Sequence, residues 1–204
     1  MKETMKDHGQ QAWEDFLNPE VLRSRLITAS LFIAAFEVLK DSVVDRIRDF
    51  FCTGFDEGRD IIGPQYQTEV LSRNRSPVYA SLAWLESMGA IEAADMAAFD
   101  RIKACRNHLA HRLLKLLWNE GMPTDLEERF DEMAALLRKI EVWWIREVEI
   151  PTNPDFDGRE IDEAAIVPGP LIGLQVLQDI ALGPDERSRF YWEEMKRRAD
   201  RGGA

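Results

Sequence analysis

From Glu20 to Phe51 the chain contains neither glycine nor proline, and this continuity constrains the fold more than any other feature. The triplet Asn18-Pro19-Glu20 is a typical helix start, with an N-cap residue, a proline at the first helical position and an acid in the first turn. Apolar residues then recur at helical spacing: Leu22, Leu26, Ala29, Ile33, Phe36, Val43, Ile47 and Phe50. The pattern predicts one long amphipathic helix that buries a single face.

A second apolar stripe supports an all-α fold. The sequence Thr124-Asp125-Leu126-Glu127 has the form of a capping box, which marks the start of a helix. The apolar residues of this helix recur with strict three–four spacing: Leu126, Phe130, Met133, Leu137, Ile140, Trp144 and Val148. Further helices are predicted after Ser76-Pro77 and after Asp95, the latter as an N-cap, whereas the glycines in 52–64 predict a loop. We expect an all-α bundle of roughly four or five helices over 1–150 and an appended C-terminal segment over 151–204, an acidic proline-containing linker and a helix.

Composition limits the possible partners and locations. The net charge of −11 and pI near 4.8 argue against wholesale coating of nucleic acid, although they allow a small positive site. The uncharged run Leu26–Phe36 is too short to cross a bilayer, and the first residues resemble no secretory signal. Two cysteines form no disulfide framework, so we expect a cytoplasmic protein without membrane partners.

The stretch from Arg101 to Asn119 is a basic island in this acidic chain. It holds five cations and two of the three histidines but no Asp or Glu. Its helical stripe of Phe99, Ile102, Leu109, Leu113 and Leu116 is complete only if Arg106 occupies a core position. Because an unpaired buried guanidinium is very unfavourable, Arg106 must meet a carboxylate, a phosphate or a water-filled groove.

The sequence Arg106-Asn107-His108-Leu109-Ala110-His111 resembles the motif of the HEPN superfamily, in which an Arg, often followed by a polar residue, precedes a His by four to six residues. The resemblance covers roughly 15–150. It implies an endoribonuclease that needs neither metal nor cofactor and acts as a homodimer whose motif helices face each other across one cleft. On an ideal helix Arg106 and His111 point about 140° apart, which also favours a site shared by two copies.

The implied chemistry assigns catalytic roles to Arg106, Asn107 and His111. His111 acts as general acid and base around attack by a ribose 2′-OH, Arg106 stabilises charge on the phosphate, and Asn107 orients the reacting groups. Candidate substrate-binding cations are Lys103, Arg112, Arg73 and Arg75. Such an enzyme suits a toxin or phage-defence effector with a protein antitoxin or regulatory partner. Leu113 stands where family members silenced by nucleotide transfer have a Tyr, so that form of silencing is not expected.

Other interpretations of the same residues stay open. Glu37, inside the apolar run of the first helix, is a candidate to pair with Arg106. The pair would either anchor Arg106 in the active enzyme or belong to a catalytically inactive scaffold that screens His111 from solvent. His108 is a flanking or packing residue rather than a catalyst. Cys105, His108 and His111 are of metal-ligand type, but steps of three residues splay them around the helix, so no metal site is predicted.

Overall fold

The computed structural model describes residues 11–202 of the chain, with side chains described through residue 199. It is 79% helical with one small two-stranded sheet, so the predicted all-α helical bundle is confirmed. No helix among the described residues is both long and apolar enough to cross a membrane.

The long N-terminal helix forms as predicted. The described part of the first helix, α1, covers 11–17, and helix α2 runs over Pro19–Phe50. The side chain of Asn18 caps it, because its Oδ1 accepts a hydrogen bond from the backbone N–H of Glu20 at 3.0 Å. One face is buried, and its fully buried members include Phe32, Leu39, Val43 and Ile47. Leu26 and Phe50 of the predicted stripe are instead 38% and 50% exposed.

The segment predicted as a loop over 52–64 is instead largely a β-hairpin. Strand β1 (Cys52–Asp56) pairs antiparallel with β2 (Arg59–Ile62). Glu57 and Gly58 both have positive φ, 47° and 77°, as a two-residue hairpin turn of the mirror-image type requires. The loop prediction was wrong because it treated glycine only as a breaker, whereas here Gly58 permits the turn.

A widened helical turn at Tyr66–Val70 and a 3₁₀ turn at Leu71–Arg73 follow the hairpin. Helix α3 then spans Pro77–Ser87, with its start at the predicted position, and Gly89 with φ of 73° follows its C-cap.

Helix α4 carries the basic island over Ala93–Lys115 and continues through a widened turn at Leu116–Glu120. Its predicted N-cap was wrong, because the helix begins two residues before Asp95. Asp95 lies in the first turn and accepts a hydrogen bond from the backbone N–H of Glu92 at 2.8 Å.

Helix α5 spans Leu126–Trp144 and extends through a widened turn at Ile145–Glu149. Its predicted stripe is buried at Leu126, Met133, Leu137, Ile140 and Trp144. Short turns follow at Ile150–Thr152 (α6), Pro154–Phe156 and Glu163–Ala165. Helix α7 spans Gly169–Ala181 and contains most of the apolar run 172–182, and α8 spans Asp185–Gly202.

The backbone forms two compact units. The first contains the chain up to Ala34 with Cys105–Leu126 and the chain from Gly169, and the second contains Ala35–Ala104 with Glu127–Pro168. Aromatic packing supports each one. In the first, the rings of Trp13 and Trp118 lie 4.3 Å apart, and in the second Trp84 stacks on Trp144 at 6.0 Å. The predicted domains, 1–150 and 151–204, are continuous stretches of the chain, whereas each compact unit combines separate segments. The predicted division therefore stays a prediction.

Candidate active site

Helix α4 presents the motif residues from a regular backbone, as the stripe predicted. The residues Phe99, Ile102 and Leu109 are fully buried, and Leu116 in the following turn is nearly so. The opposite side of the helix is open to solvent, with Ala104, Ala110 and His111 exposed. The motif therefore lies along the boundary between the core-facing and solvent-facing sides of one helix.

Arg106 occupies the predicted core-side position but is half-buried rather than buried. Its Nη1 lies 3.4 Å from Oδ1 of Asn107, which accepts the hydrogen bond from within the motif. Asn107 is itself half-buried, and its amide N–H groups can still donate to another acceptor. This contact holds the Asn107 carboxamide next to the guanidinium.

His111 is exposed at the surface of α4, and His108 one turn earlier is half-buried. The inactive scaffold interpretation predicts a screened His111, and the exposure shows that this expectation was wrong. An exposed imidazole can reach an external phosphodiester, as a general acid or base must. The half-buried Arg106 and exposed His111 also agree with their wide separation around the helix.

The predicted substrate-binding cations of α4 already have neighbours. The Nζ of Lys103 lies 3.3 Å from the hydroxyl of Tyr79 and 4.5 Å from the centre of its ring. Arg112 pairs with the Glu120 carboxylate at 2.6 Å, with both side chains well exposed. Because an exposed ion pair contributes about 0–1 kcal/mol, an RNA phosphate can compete for Arg112 at little energetic cost.

Tyr79 and Asp100 complete a polar cluster around Lys103 that sequence reasoning missed. The hydroxyl of Tyr79 donates a hydrogen bond to Oδ1 of Asp100 at 2.5 Å. The pKa of Tyr79 is raised to about 12, and this hydrogen bond contributes most to the increase. The spacing of Asp100 and Lys103 puts both near one side of α4, but no pattern in the sequence indicates that Tyr79 of α3 meets them.

Arg73 and Arg75 lie in the turn before α3, and both are exposed. The Nε of Arg73 donates to the backbone carbonyl of Glu69 at 2.5 Å, which fixes that side chain against its own turn. These two arginines belong to the second unit, whereas Arg106 belongs to the first. Their shared role in holding substrate stays a prediction.

Glu37 lies in α2, half-buried, with its carboxylate 2.6 Å from Nζ of Lys40. This pair joins successive turns of one helix, and its hydrogen bond is the largest cause that raises the pKa of Lys40. The contact suggested between Glu37 and Arg106 stays a prediction.

Metal-binding side chains do not cluster in the described part of the chain, where no group of three or more His, Cys, Asp or Glu residues is arranged to hold an ion. Cys105 is buried and Cys52 half-buried. Comparisons of the chain with known protein families, with curated proteins and with solved structures found no match.

Proposed function

We propose that this protein is a metal-independent endoribonuclease of the HEPN type, with Arg106, Asn107 and His111 as its catalytic residues. The observation that carries the proposal is the arrangement on α4: an exposed His111 imidazole follows a half-buried Arg106 that is hydrogen-bonded to Asn107. These groups supply a proton carrier, a cation and an oriented amide, which RNA self-cleavage chemistry requires.

The reaction needs only these groups and the RNA. Neutral His111 takes the proton from a ribose 2′-OH, and the 2′ oxygen attacks the adjacent phosphorus. The bond from phosphorus to the 5′ oxygen breaks, and an imidazolium protonates the departing oxygen. The products are a 2′,3′-cyclic phosphate and a 5′-hydroxyl. Arg106 stabilises the negative charge that develops on the phosphoryl oxygens.

The proposal includes a homodimer, because one helix directs Arg106 and His111 about 140° apart. Two antiparallel copies of α4 bring the arginine of one copy to the histidine of the other. The solvent side of α4 suits such a contact, since Leu114 is 78% exposed near His111 and Ala104 and Ala110 are exposed alongside. An exposed leucine on the same side of the helix as exposed alanines is the kind of apolar surface that marks a protein contact.

A role as a toxin or phage-defence effector extends the proposal, with a protein antitoxin as its restraint. The physical reason is that an unrestrained ribonuclease would cleave the RNA of its own cell. The net charge of −11 opposes RNA binding at long range, so affinity has to come from local cations. Lys103 and Arg112 flank the motif on the same helix and fit that role.

A second candidate function is a non-catalytic scaffold, which the Arg106–Asn107 hydrogen bond favours because it gives the arginine a structural partner. The two functions differ in one observable, RNA cleavage. Purified protein is incubated with RNA in excess chelator, and the products are tested for a 2′,3′-cyclic phosphate end. The nuclease proposal predicts cleavage that chelator does not reduce, and no cleavage of a strand with 2′-deoxyribose.

Variants assign the activity to the motif. His111→Ala should lower the rate by about 10²-fold or more, and Arg106→Ala by roughly 10²–10³-fold, with unchanged circular dichroism. His108→Ala is the matched control, because His108 lies one turn away on the same helix and should retain activity. Undiminished cleavage by both His111→Ala and Arg106→Ala would exclude the nuclease proposal, and so would complete loss of wild-type activity in chelator.

A further inference from the structure

A cleft of about 370 Å³ opens on the second unit, between the turn that precedes α4 and the outer side of α5. Its apolar wall consists of Ala90, Val142 and Trp143, of which the first two are buried and Trp143 is half-buried. The volume lies within the range of small-molecule sites, about 300–1,000 Å³. None of the proposed catalytic residues lines it.

Three cations and one carboxylate line this cleft, in a chain that is strongly acidic elsewhere. The cations are Arg138, Lys139 and Arg146, and the carboxylate is Glu163. Lys139 is balanced by Asp95, whose carboxylate lies 2.6 Å from its Nζ. Arg146 pairs with Glu163 and also with Glu147 at 3.3 Å. Among the described residues Arg138 is therefore the cation of the three without a carboxylate partner, and its charge favours an anionic ligand.

Arg138 differs from its neighbours because it binds neutral acceptors. Its Nη1 donates to the backbone carbonyl of Ile166 at 2.7 Å and its Nη2 to that of Glu163 at 3.4 Å. Within the described residues no carboxylate pairs with it. Its charge is therefore held in place at the cleft but not neutralised there.

The turn Glu163–Ala165 crosses the edge of the cleft as a short strap. Arg138 holds its backbone, and Arg146 holds its side chain through an ion pair of 2.8 Å with Glu163. Both partners of that pair are about half exposed, with 49% and 57% of the side-chain surface accessible. Such a pair is weak, so a ligand anion can displace the Glu163 carboxylate from Arg146 without detaching the strap.

Trp143 supplies the apolar surface for a planar group. Its ring contacts with Trp84 and Trp144 are edge-type, at interplanar angles of 90° and 75°, and these fix the indole orientation. Indole rings bind flat ring systems by stacking, at about 1–3 kcal/mol per nucleic-acid base in known cases. A ring placed there lies beside two arginines that can bind an oxyanion in a bidentate manner.

We propose that this cleft binds an aromatic anion, a planar ring system that carries a phosphate or a carboxylate group. The ring packs on Trp143, and the anion lies between Arg138 and Arg146 in place of the Glu163 carboxylate. The proposal is independent of RNA cleavage, because the cleft and the motif share no residue.

Isothermal titration calorimetry on the full chain tests it with four probes. Adenosine 5′-monophosphate combines a ring with phosphate, indole-3-acetate combines a ring with carboxylate, and adenosine and inorganic phosphate carry only one of the two features. We expect at least one ring-bearing anion to bind about tenfold or more tightly than adenosine or phosphate, and the preferred one to identify the anionic group.

Variants distinguish the cleft from other surfaces. Glu163→Gln removes the competing carboxylate while Arg138 still holds the strap, so it should tighten binding of the preferred anion by about tenfold. Arg146→Gln should weaken it by about tenfold, and Trp143→Leu by at least as much. Arg59→Gln, an exposed arginine of β2 in the same unit, is the matched control and should change nothing.

The proposal is overturned if neither ring-bearing anion binds the wild type or Glu163→Gln. It is equally overturned if inorganic phosphate binds as tightly as adenosine 5′-monophosphate and indole-3-acetate fails to bind, since the ring would then contribute nothing. An affinity unaffected by both Arg146→Gln and Trp143→Leu would place the ligand elsewhere.

Discussion

Replacement of Arg46 by Met should strongly destabilise the fold, because it leaves a buried carboxylate without its partner. The guanidinium of Arg46 binds the Glu141 carboxylate through Nη1 and the Glu149 carboxylate through Nη2. It also lies 5.5 Å from the centre of the Trp144 ring. The two carboxylates differ sharply in environment, because Glu141 is 1% exposed whereas the Glu149 side chain is 55% exposed.

The burial difference sets the expected energies. Removal of one partner from a buried ion pair costs about 3–5 kcal/mol, because the other charge is left in a poorly solvated site. Arg46 itself keeps 27% of its side-chain surface exposed, so water can partly solvate the site and we expect the lower end, about 3 kcal/mol. Glu149→Gln removes only the exposed half of the arrangement and should cost about 0–1 kcal/mol.

Urea denaturation followed by circular dichroism measures both variants. With a slope of about 2 kcal/mol per molar urea, Arg46→Met should lower the midpoint by about 1.5 M and Glu149→Gln by less than about 0.5 M. Glu141→Gln keeps a hydrogen-bond acceptor for Arg46 but removes the buried negative charge. Its decrease in the urea midpoint should therefore lie between those of Arg46→Met and Glu149→Gln. Equal, small shifts in Arg46→Met and Glu149→Gln would refute the reasoning that burial of Glu141 sets the energy.

Two further predictions concern protonation and helix capping. All three tyrosines of the chain have a raised pKa, by burial for Tyr66 and by hydrogen bonds to Asp100 and Asp179 for Tyr79 and Tyr191. The tyrosinate absorbance at 295 nm should therefore show that Tyr79 titrates near pH 12 in the folded protein. The folding stability that this phenol contributes should be complete below pH 10 and decline as pH rises towards 12. Ionisation of all three phenols at pH 10 before unfolding would contradict this. Asn18→Ala should lower the free energy of unfolding by about 0.5–2 kcal/mol, because α2 loses its side-chain cap. Asn18→Asp keeps a capping oxygen and should retain stability in the same denaturation assay. Equal losses of stability in both variants would argue against the cap.

The helices were predictable because their determinants are local. Asn18 and Pro19 mark the start of α2, and the strict spacing of apolar residues marks the buried side of α5. The basic island was also placed correctly on a helix with one buried face. In each case the pattern repeats over several turns, so one unusual residue does not obscure it.

The features that the sequence did not reveal depend on backbone detail or on distant contacts. The hairpin at 52–62 requires positive φ at Glu57, a residue type that seldom adopts it. The widened turns at Leu116–Glu120 and Ile145–Glu149 carry no sequence signature. The cluster of Tyr79, Asp100 and Lys103 joins two helices, and single-sequence periodicity contains no information about which side chains meet across them.

The candidate site shows the same division. The motif of Arg106, Asn107 and His111 was identified from the sequence, and so was the oddity of an arginine in an apolar stripe. The half-buried environment of Arg106 and its hydrogen bond to Asn107 depend on how the helix packs, which composition and spacing do not specify. The cleft beside Trp143 also escaped prediction, because it joins the turn before α4 to the outer side of α5, and helical periodicity does not show that these segments meet.

The most direct test of the central claim is a mixing experiment with two inactive variants, Arg106→Ala and His111→Ala. If each active site takes its arginine from one copy and its histidine from the other, half of randomly paired dimers are mixed and each contains one complete site of two. RNA cleavage in excess chelator should then recover to about a quarter of the wild-type rate. If the mixture stays as inactive as its two components while the wild type cleaves RNA, the shared Arg106–His111 site is wrong.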